Sequence, residues 1–234
     1  MQFETDVTQI IQRIKSAKSI RFKRPQDFAY LPGQWIFLTL DGKGQKTKPL
    51  SLSSSPTEDF LEVTKRLTGQ EFSNALDALK AGDKALIHGP YGNFTFQGEY
   101  DRIGMLSGGI GITPLRSIIR YSTDKGLKTS IVLLYSSHDE DNIAFNDDLN
   151  EMQSRNPNLR VINTITGPIK RWKGLTGRID RQIIENVLPD YVERIFYTSG
   201  PKPMVDAMRS LLISMGTPEA QMKQEYFTGY EELL

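Results

Sequence analysis

The chain has 234 residues, of which 38% are hydrophobic and 24% are charged, a composition typical of a globular protein. Its formal net charge of +1 gives no global attraction for nucleic acid or for a membrane surface. The absence of cysteine excludes disulfides, cysteine-ligated zinc and ordinary iron–sulfur clusters in this chain, and two isolated histidines argue against a metal site. Any electron chemistry here therefore needs an organic cofactor.

The N-terminal stretch MQFETDVTQI lacks the basic start and apolar core of a targeting segment. No apolar run approaches the ~18 residues that a membrane span needs. We therefore predict no membrane span, no nucleic-acid partner and a cytoplasmic location. Residues 1–50 hold nine Lys or Arg against four acids, whereas residues 139–151 hold six acids and no base. Solvated faces account for this asymmetry, although a basic face also suits an acidic partner protein.

Residues 1–98 have the pattern of antiparallel strands. Short β-rich runs such as QWIFLTL, LEVTKRL and KALIHG are separated by turn signals at PGQ, DGKG, SSSP and AGD. One helix is predicted over 73–81, where Leu76 and Leu79 have helical spacing behind Ser73 as the N-cap. We predict an all-β domain over 1–98, an antiparallel β-barrel.

From about Asp101 the pattern changes to alternating strands and helices. The strands are predicted at IGMLS, SIVLLYSS, RVINTIT and RIFYTSG, and the helices around 115–119, 145–152, 183–187 and 204–215. The unbroken apolar run SIVLLYSS is typical of a parallel sheet that is buried on both faces. The alternation predicts a right-handed, doubly wound α/β domain with a parallel sheet over 99–234.

The stretch MLSGGIGITPL joins the first of these strands to its helix. Thr113 is the predicted N-cap and Pro114 the predicted first helical residue, so a glycine-rich loop lies at the carboxyl end of the strand. Glycine lets the backbone approach a phosphate closely, and free N–H groups favour its charge. Because Pro114 stands where the third glycine of G-x-G-x-x-G would be, the loop alone leaves a dinucleotide site and an ordinary turn equally open. A second loop, TSGPKPM, also follows an apolar strand, and two such loops on one rim indicate an elongated ligand.

Six motifs, taken in order, resemble those of the ferredoxin-NADP reductase superfamily. They are LPGQW (31–35), KPLSLSSSP (48–56), GPYGNF (89–94), GGIGITP (108–114), SGPKPM (199–204) and EYFTGY (225–230). Each motif alone is weak, but chance matches would also have to agree in order. The resemblance spans nearly the whole chain. It implies a barrel that holds FAD, a domain that binds NADH or NADPH, and hydride transfer between the two rings at the cleft.

The family's flavin signature, Arg-x-Tyr-Ser, aligns with Lys48, Pro49, Leu50 and Ser51. The resemblance implies that Lys48 keeps the positive charge that grips the flavin phosphate, although it loses the bidentate fork of arginine. It also implies that Leu50 covers the isoalloxazine face without aromatic stacking. The Ser51 hydroxyl is then the candidate hydrogen-bond partner of the ring nitrogen that accepts hydride.

Two further barrel segments are carried over from the resemblance. GQEFSN (69–74) resembles the segment whose backbone amides hold the flavin phosphates, with Gly69 and Ser73 as its candidate residues. In GPYGNF, Tyr91 or Phe94 is expected near the adenine, although an aromatic between glycines is as often packed on the barrel.

In the nucleotide-binding half, the resemblance assigns residues of both loops and of the C-terminal motif. The pyrophosphate loop comprises Gly109, Gly111, Thr113 and Pro114, and the loop beside the nicotinamide comprises Ser199, Gly200 and Pro201. Glu225 and Phe227 resemble the acid and the aromatic near the other face of the flavin, where Phe227 holds the nicotinamide's place until the coenzyme displaces it. The candidate catalytic residues are Ser51, Ser199 and Glu225.

The choice between NADH and NADPH depends on YSSHDED, which follows the second strand of the α/β domain. His138 stands where phosphate-preferring relatives often have arginine, and Asp139 begins a run of three acids. Carboxylates accept hydrogen bonds from a ribose 2′-hydroxyl and repel a 2′-phosphate, which favours NADH. Arg171 or Lys173 in an adjacent loop keeps NADPH open.

These features predict a flavoprotein reductase. NAD(P)H gives hydride to bound FAD, and the electrons then pass to a separate acceptor, such as a ferredoxin-like protein. The flavin carries the difficult chemistry, so no acid–base dyad is needed for the hydride step. Two alternatives stay open: a reductase that uses free flavin as its substrate, and an electron-transfer subunit that turns over only within a complex.

Overall fold

The chain forms two six-stranded sheets in the computed structural model, which describes residues 1–40 and 46–227. The first sheet contains β1 (Gln2–Ile14), β2 (Ala17–Lys23), β3 (Trp35–Thr39), β4 (Thr47–Ser51), β5 (Phe60–Arg66) and β6 (Lys84–Tyr91). The second contains β7 (Arg102–Gly108), β8 (Ser130–Ser137), β9 (Leu159–Ile165), β10 (Leu175–Thr176), β11 (Ile195–Pro201) and β12 (Met222–Phe227). The helices are α1 (Glu71–Asp77), α2 (Ile112–Asp124), α3 (Asn146–Arg155), α4 (Arg181–Val187) and α5 (Lys202–Ser214). The turn predicted at 41–44 and the end of the last motif, 228–230, lie outside the described residues.

The first sheet is antiparallel, with strand order β4-β3-β6-β1-β2-β5. A bridge between Leu52 and Val63 joins the two edges and closes the sheet around an apolar core. Within that core, Ile20 and Phe22 of β2 are fully buried, as the period-two alternation of a strand requires. The predicted antiparallel barrel is confirmed.

Helix α1 begins two residues earlier than predicted, and the assignment of Ser73 as its N-cap is wrong. Gln70 is the N-cap, and Ser73 lies inside the helix. The Ser73 hydroxyl accepts a hydrogen bond from the Thr68 N–H at 2.8 Å, so it closes the turn that precedes the helix. The helix also ends at Asp77, which leaves Leu79 outside it. The helical spacing of the leucines correctly predicted a helix here but not the residues at which it begins and ends.

The second sheet is parallel, with strand order β10-β9-β8-β7-β11-β12. Helices cover both faces. Leu133 of β8 packs into one apolar cluster together with Ile118 of α2, while Leu134 packs into another together with Met208 of α5. Both faces of β8 are therefore buried, and the predicted doubly wound α/β architecture is confirmed.

Two aromatics that precede residue 98 pack with the parallel sheet. Phe94 and Phe96 belong to the cluster of α2 and α3, and Phe94 contacts Tyr197 edge-on at 5.2 Å between ring centroids. The alternative that placed Phe94 near an adenine is therefore wrong, because its ring is buried in this core. A domain boundary at 98 stays a prediction.

Helix α2 holds the barrel through two adjacent residues. Arg116, only 1% exposed, donates to the Ser53 carbonyl at 3.1 Å. It also pairs with the carboxylates of Glu58, from the loop after β4, and of Asp148, from α3. Ser117 donates to the Ser54 carbonyl at 2.6 Å. The loop that leaves β4 is thus fixed to a helix of the parallel sheet.

Part of the charge asymmetry seen in the sequence is used inside the fold. Arg13 and Arg21 both bind the buried carboxylate of Glu62, at 2.9 and 2.8 Å. Arg13 also lies 3.5 Å from Asp148, which belongs to the acidic run. No helix of the described ranges is long and apolar enough to cross a membrane. The cytoplasmic location stays a prediction.

We expect Arg116→Met to lower the free energy of unfolding by ~3 kcal/mol, because it leaves the Glu58 and Asp148 carboxylates without their buried cation. The control is Arg155→Met, since Arg155 has the same type of partners, Glu151 and Asp124, but a side chain that is 52% exposed. We expect this control to leave the free energy of unfolding almost unchanged, because solvent screens an exposed ion pair. Urea unfolding measures both variants, and equal losses would contradict the assignment of Arg116 as a buried clamp.

Candidate functional site at the junction of the two sheets

A cavity of about 320 Å³ opens between the closed edge of the barrel and the rim of the parallel sheet. Eight predicted site residues line it: Lys48, Pro49, Leu50, Ser51, Ser73, Thr113, Glu225 and Phe227. The structure therefore brings the signature of the barrel, the start of α2 and the C-terminal motif to one place. Their individual roles stay predictions.

Ser51 and Glu225 meet across this cavity, although 174 positions separate them in sequence. The Ser51 hydroxyl donates to a carboxylate oxygen of Glu225 at 3.2 Å. Burial raises the pKa of Glu225 to about 7, and the hydrogen bond from Ser51 acts in the opposite direction. Near neutral pH this carboxyl can therefore hold or release a proton at the wall of the cavity.

An aromatic wall that the sequence analysis missed stands beside this pair. Trp35 lines the cavity, with Tyr91 packed against it at 4.9 Å and Phe37 edge-on at 5.1 Å between ring centroids. The Tyr91 hydroxyl lies 2.9 Å from Nε2 of His88. Tyr91 thus supports Trp35 from outside the cavity, and its placement near an adenine stays a prediction. The motif LPGQW contained the signal for Trp35, since this tryptophan opens β3.

The glycine loop follows β7 as predicted, but α2 begins earlier than expected. A single 3₁₀ turn over Gly109–Gly111 continues directly into the helix, whose N-cap is Gly111. Thr113 and Pro114 are therefore the second and third helical residues, and their assignment to the cap and the first position is wrong. Pro114 is tolerated there because the first N–H groups of a helix have no intrahelical partner. Thr113 donates to the Ile110 carbonyl at 3.3 Å instead of capping.

The glycines of this loop are required for two different reasons. A Cβ at Gly111 would lie 2.2 Å from the Ser199 carbonyl oxygen, so no side chain fits between the loop and β11. The Ser199 hydroxyl in turn donates to the Gly111 carbonyl at 2.6 Å. Gly109 has φ 53°, and a Cβ there would meet no atom within 4 Å. The glycine at 111 is therefore needed so that the loop can pack against β11. The glycine at 109 is needed for its positive φ, and it leaves open space beside the loop.

The rim of the parallel sheet extends from the cavity toward β8. Ser199, Gly200 and Pro201 of β11 pair with Glu225, Tyr226 and Phe227 of β12. Strand β7 lies between β11 and β8, so the glycine loop occupies the point where the strand order reverses. Crevices at such points bind ligands in open α/β sheets. The Ser199 side chain faces Gly111, and its place beside a nicotinamide stays a prediction.

His138 and Asp139 lie at the carboxyl end of β8, three strands from β12. At about 4.8 Å per strand, that is roughly 14 Å along the rim. Asp139 accepts hydrogen bonds from the Asp141 N–H and the Asn142 amide, and a Cβ at Gly167 would lie 2.6 Å from His138. Of the neighbouring acids, Asp141 pairs with Lys170 and Glu140 accepts from the Arg171 N–H. The acidic run therefore builds one turn at the far end of the rim.

The residues of the cavity fit a flavin nucleotide. Trp35, Leu50 and Phe227 supply apolar surface for a ring, and Lys48 and Lys65 supply positive charge for a phosphate. Gly69, with φ 77°, turns the chain into α1, and Gln70 and Ser73 add hydrogen-bonding groups to the lining of the cavity. Lys65 was missed because it stands in a strand and not in a motif.

Comparison with known proteins matches each half of the chain to a family. Residues 5–96 match the oxidoreductase FAD-binding domain, and residues 105–210 match the oxidoreductase NAD-binding domain. The glycine betaine monooxygenase reductase subunit of Pseudomonas aeruginosa strain UCBPP-PA14 is 31% identical over 93% of this chain and 62% of its own length. The ferredoxin reductase component of the Mycobacterium tuberculosis (strain CDC 1551 / Oshkosh) 3-ketosteroid-9-alpha-monooxygenase is 27% identical over 97% of this chain and 66% of its own length. The chain thus spans less than two thirds of these relatives.

Solved structures show the same fold. The ferredoxin reductase in carbazole 1,9a-dioxygenase superposes with a TM-score of 0.84, at 23% identity, over 97% of this chain and 69% of its own. A ferredoxin NADP⁺ reductase from Neisseria gonorrhoeae gives a TM-score of 0.82 at 20% identity, over 96% of this chain and 98% of its own. The chain therefore joins an oxidoreductase FAD-binding domain on the barrel to an oxidoreductase NAD-binding domain on the parallel sheet, and its fold is that of the ferredoxin-NADP reductases.

Proposed function

We propose that this chain is a flavoprotein reductase that takes hydride from NADH or NADPH onto bound FAD and passes the electrons to a separate ferredoxin-like protein. One observation carries the proposal: the flavin signature, the rim of the nucleotide-binding sheet and Glu225 converge on a single cavity. The names of two relatives, a monooxygenase reductase subunit and the ferredoxin reductase component of a monooxygenase, support delivery to a redox partner.

In this proposal FAD supplies the hydride and electron-transfer chemistry, and the residues position and tune it. Ser51 and Glu225 hold a proton next to the ring site, since the carboxyl changes its protonation near neutral pH. Gly111 and Ser199 fix the two rim loops against each other, which sets where the coenzyme rests. The Arg116 and Ser117 contacts then fix that rim against the loop that carries the flavin signature.

The acidic turn at the far end of the rim supports NADH as the preferred coenzyme. Asp139, Glu140 and Asp141 repel a 2′-phosphate there. Lys170 and Arg171 touch the same turn, so they offset part of that repulsion. We propose a preference for NADH that is moderate and not absolute.

Anaerobic stopped-flow reduction of the FAD-reconstituted chain tests the proposed function. We expect NADH to bleach the visible flavin absorption faster than NADPH, and the reduced protein to pass electrons to an artificial one-electron acceptor. A folded chain that binds FAD but shows no bleaching with either coenzyme would reject the proposal. Retention of stoichiometric FAD through gel filtration would show that FAD is a bound cofactor and not a free substrate. Turnover by the isolated chain would argue against an electron-transfer subunit that works only in a complex.

Gly111→Ala should weaken coenzyme binding by at least roughly tenfold while leaving FAD affinity unchanged. The added Cβ would clash with the Ser199 carbonyl and push the glycine loop away from β11. The control is Gly126→Ala, just after the other end of α2, where a Cβ meets no atom within 4 Å. Because Gly126 has φ 61°, the substitution should lower the free energy of unfolding by ~1 kcal/mol. It should leave the affinity for NAD⁺, measured by titration, unchanged. Loss of FAD binding in Gly111→Ala would mean that the loop serves the flavin instead.

Glu225→Gln should remove the contribution of this carboxyl to the pH dependence of the apoprotein's free energy of unfolding. Because burial raises the pKa of Glu225 from 4.5 to about 7, the neutral carboxyl stabilises the folded state fully below pH ~4.5. This stabilisation is lost as the pH rises through about 7. The unfolding free energy of wild type minus that of Glu225→Gln should fall by on the order of 3 kcal/mol over this interval. Urea unfolding at a series of pH values measures this difference, with Glu4→Gln at an exposed position as the control. A difference between wild type and Glu225→Gln that does not change with pH would contradict a buried Glu225 carboxyl.

A further inference from the structure

Each of the three carbonyls in the turn Gly109–Gly111 accepts a hydrogen bond from a side-chain hydroxyl. The donors to the carbonyls of residues 109, 110 and 111 are, in that order, Tyr135 at 2.7 Å, Thr113 at 3.3 Å and Ser199 at 2.6 Å. All three donors are buried, and they belong to β8, α2 and β11. Side chains from three different elements therefore fix the orientation of this one turn.

Tyr135 differs from the other two donors because it reaches the turn from inside the protein core. Thr113 belongs to the helix that the turn begins, and Ser199 lies in the neighbouring rim loop. The Tyr135 side chain is fully buried in the apolar cluster that also contains residues of α2 and α3. Burial raises the pKa of Tyr135 well above its usual range, so the hydroxyl keeps its proton and donates it to the Gly109 carbonyl. This carbonyl is thereby held toward the core.

The direction of the Gly109 carbonyl fixes the direction of the N–H group that follows it. In a planar trans peptide, such as that between Gly109 and Ile110, the C=O and N–H bonds point in opposite directions. Because the carbonyl points to Tyr135 in the core, the Ile110 N–H points to the opposite, open side of the loop. A Cβ at Gly109 would meet no atom within 4 Å, and Ile110 lines the cavity, so a ligand has room beside the loop. Outward-pointing backbone N–H groups of such loops bind phosphate oxygens.

We propose that Tyr135 is a positioning residue for the coenzyme: its hydroxyl holds the peptide between Gly109 and Ile110 so that the Ile110 N–H faces the coenzyme's pyrophosphate. The inference rests on the proposed function, which brings a nicotinamide dinucleotide to this loop. Tyr135 acts only through its hydrogen bond to the Gly109 carbonyl, from behind the loop. Without the hydroxyl, the buried carbonyl loses this partner, and the peptide can turn away from the orientation that binds the coenzyme.

The experiment compares two tyrosines that lose the same atom. Tyr135→Phe removes the hydroxyl that donates to Gly109, and the control, Tyr197→Phe, removes a hydroxyl that donates to the Thr95 carbonyl at 2.8 Å. Both tyrosines are fully buried in the same apolar cluster. Urea unfolding should therefore show similar losses of stability in the two variants. Only Tyr135→Phe should change the binding of the coenzyme.

Two measurements on the FAD-loaded protein report that binding. In anaerobic reduction by NADH, we expect Tyr135→Phe to raise the half-saturating NADH concentration roughly fivefold, with the bleaching rate at saturation and the affinity for FAD unchanged. In calorimetric titration, the affinity for ADP-ribose should fall by the same factor, because this fragment contains the pyrophosphate. The affinity for adenosine, which has no phosphate, should stay as in wild type. Tyr197→Phe should match wild type in all of these quantities.

The outcomes separate this inference from the proposed function. An unchanged affinity for ADP-ribose in Tyr135→Phe would overturn the inference, even where NADH reduces the wild type. Equal losses of affinity in Tyr135→Phe and Tyr197→Phe would overturn it too, because a general loosening of the core would then be responsible. Equal losses for ADP-ribose and adenosine would show that the pyrophosphate contact is not involved. A wild type that binds ADP-ribose but is reduced by neither coenzyme would instead reject the proposed function, and the ADP-ribose titration would still decide the role of Tyr135.

Discussion

The contact of Arg116 and Ser117 with the carbonyls of Ser53 and Ser54 is the constraint on which the rest of the site depends. In the proposed reaction, hydride passes between two rings held in contact, and each half of the chain binds one of them. Helix α2 begins at the glycine loop. One turn later, its Arg116 and Ser117 side chains donate hydrogen bonds to the loop that leaves β4. One rigid helix therefore sets the distance between both ligand-binding surfaces. The half-buried carboxylates of Glu58 and Asp148 keep the guanidinium in place.

The site achieves its chemistry with few titratable groups. Among the described residues that line the cavity, Glu225 has the one carboxyl group; burial raises its pKa, and the Ser51 hydroxyl donates a hydrogen bond to it. Elsewhere along the rim, backbone contacts and small residues do the positioning, as in the hydrogen bond from Ser199 to Gly111. Such an arrangement suits a reaction in which the cofactor provides the reactivity and the protein provides geometry and electrostatics.

Sequence reasoning predicted the architecture and the motifs well, because apolar periodicity and glycine-rich loops are local signals. It misplaced Ser73 and Thr113, since a hydroxyl near a helix start can bond to the preceding turn as readily as it can cap. Its assignment of Gly111 to ligand approach stays a prediction, and the close approach of the β11 backbone to this glycine was not foreseen. Lys65 and the Arg116 clamp could not be found, because both depend on which strands and loops meet when the barrel closes.

The close approach between Gly111 and the backbone at Ser199 also limits how such a chain can diverge. A side chain at Gly111 would clash with the Ser199 carbonyl oxygen whichever nucleotide is bound. We therefore expect related chains to keep glycine at this position and to differ at others. The turn around His138 and Asp139 is different, because it stands at the outer end of the rim and makes its contacts within exposed loops. Under the proposed function, coenzyme preference can therefore change through that outer turn while the contact between Gly111 and Ser199 stays fixed.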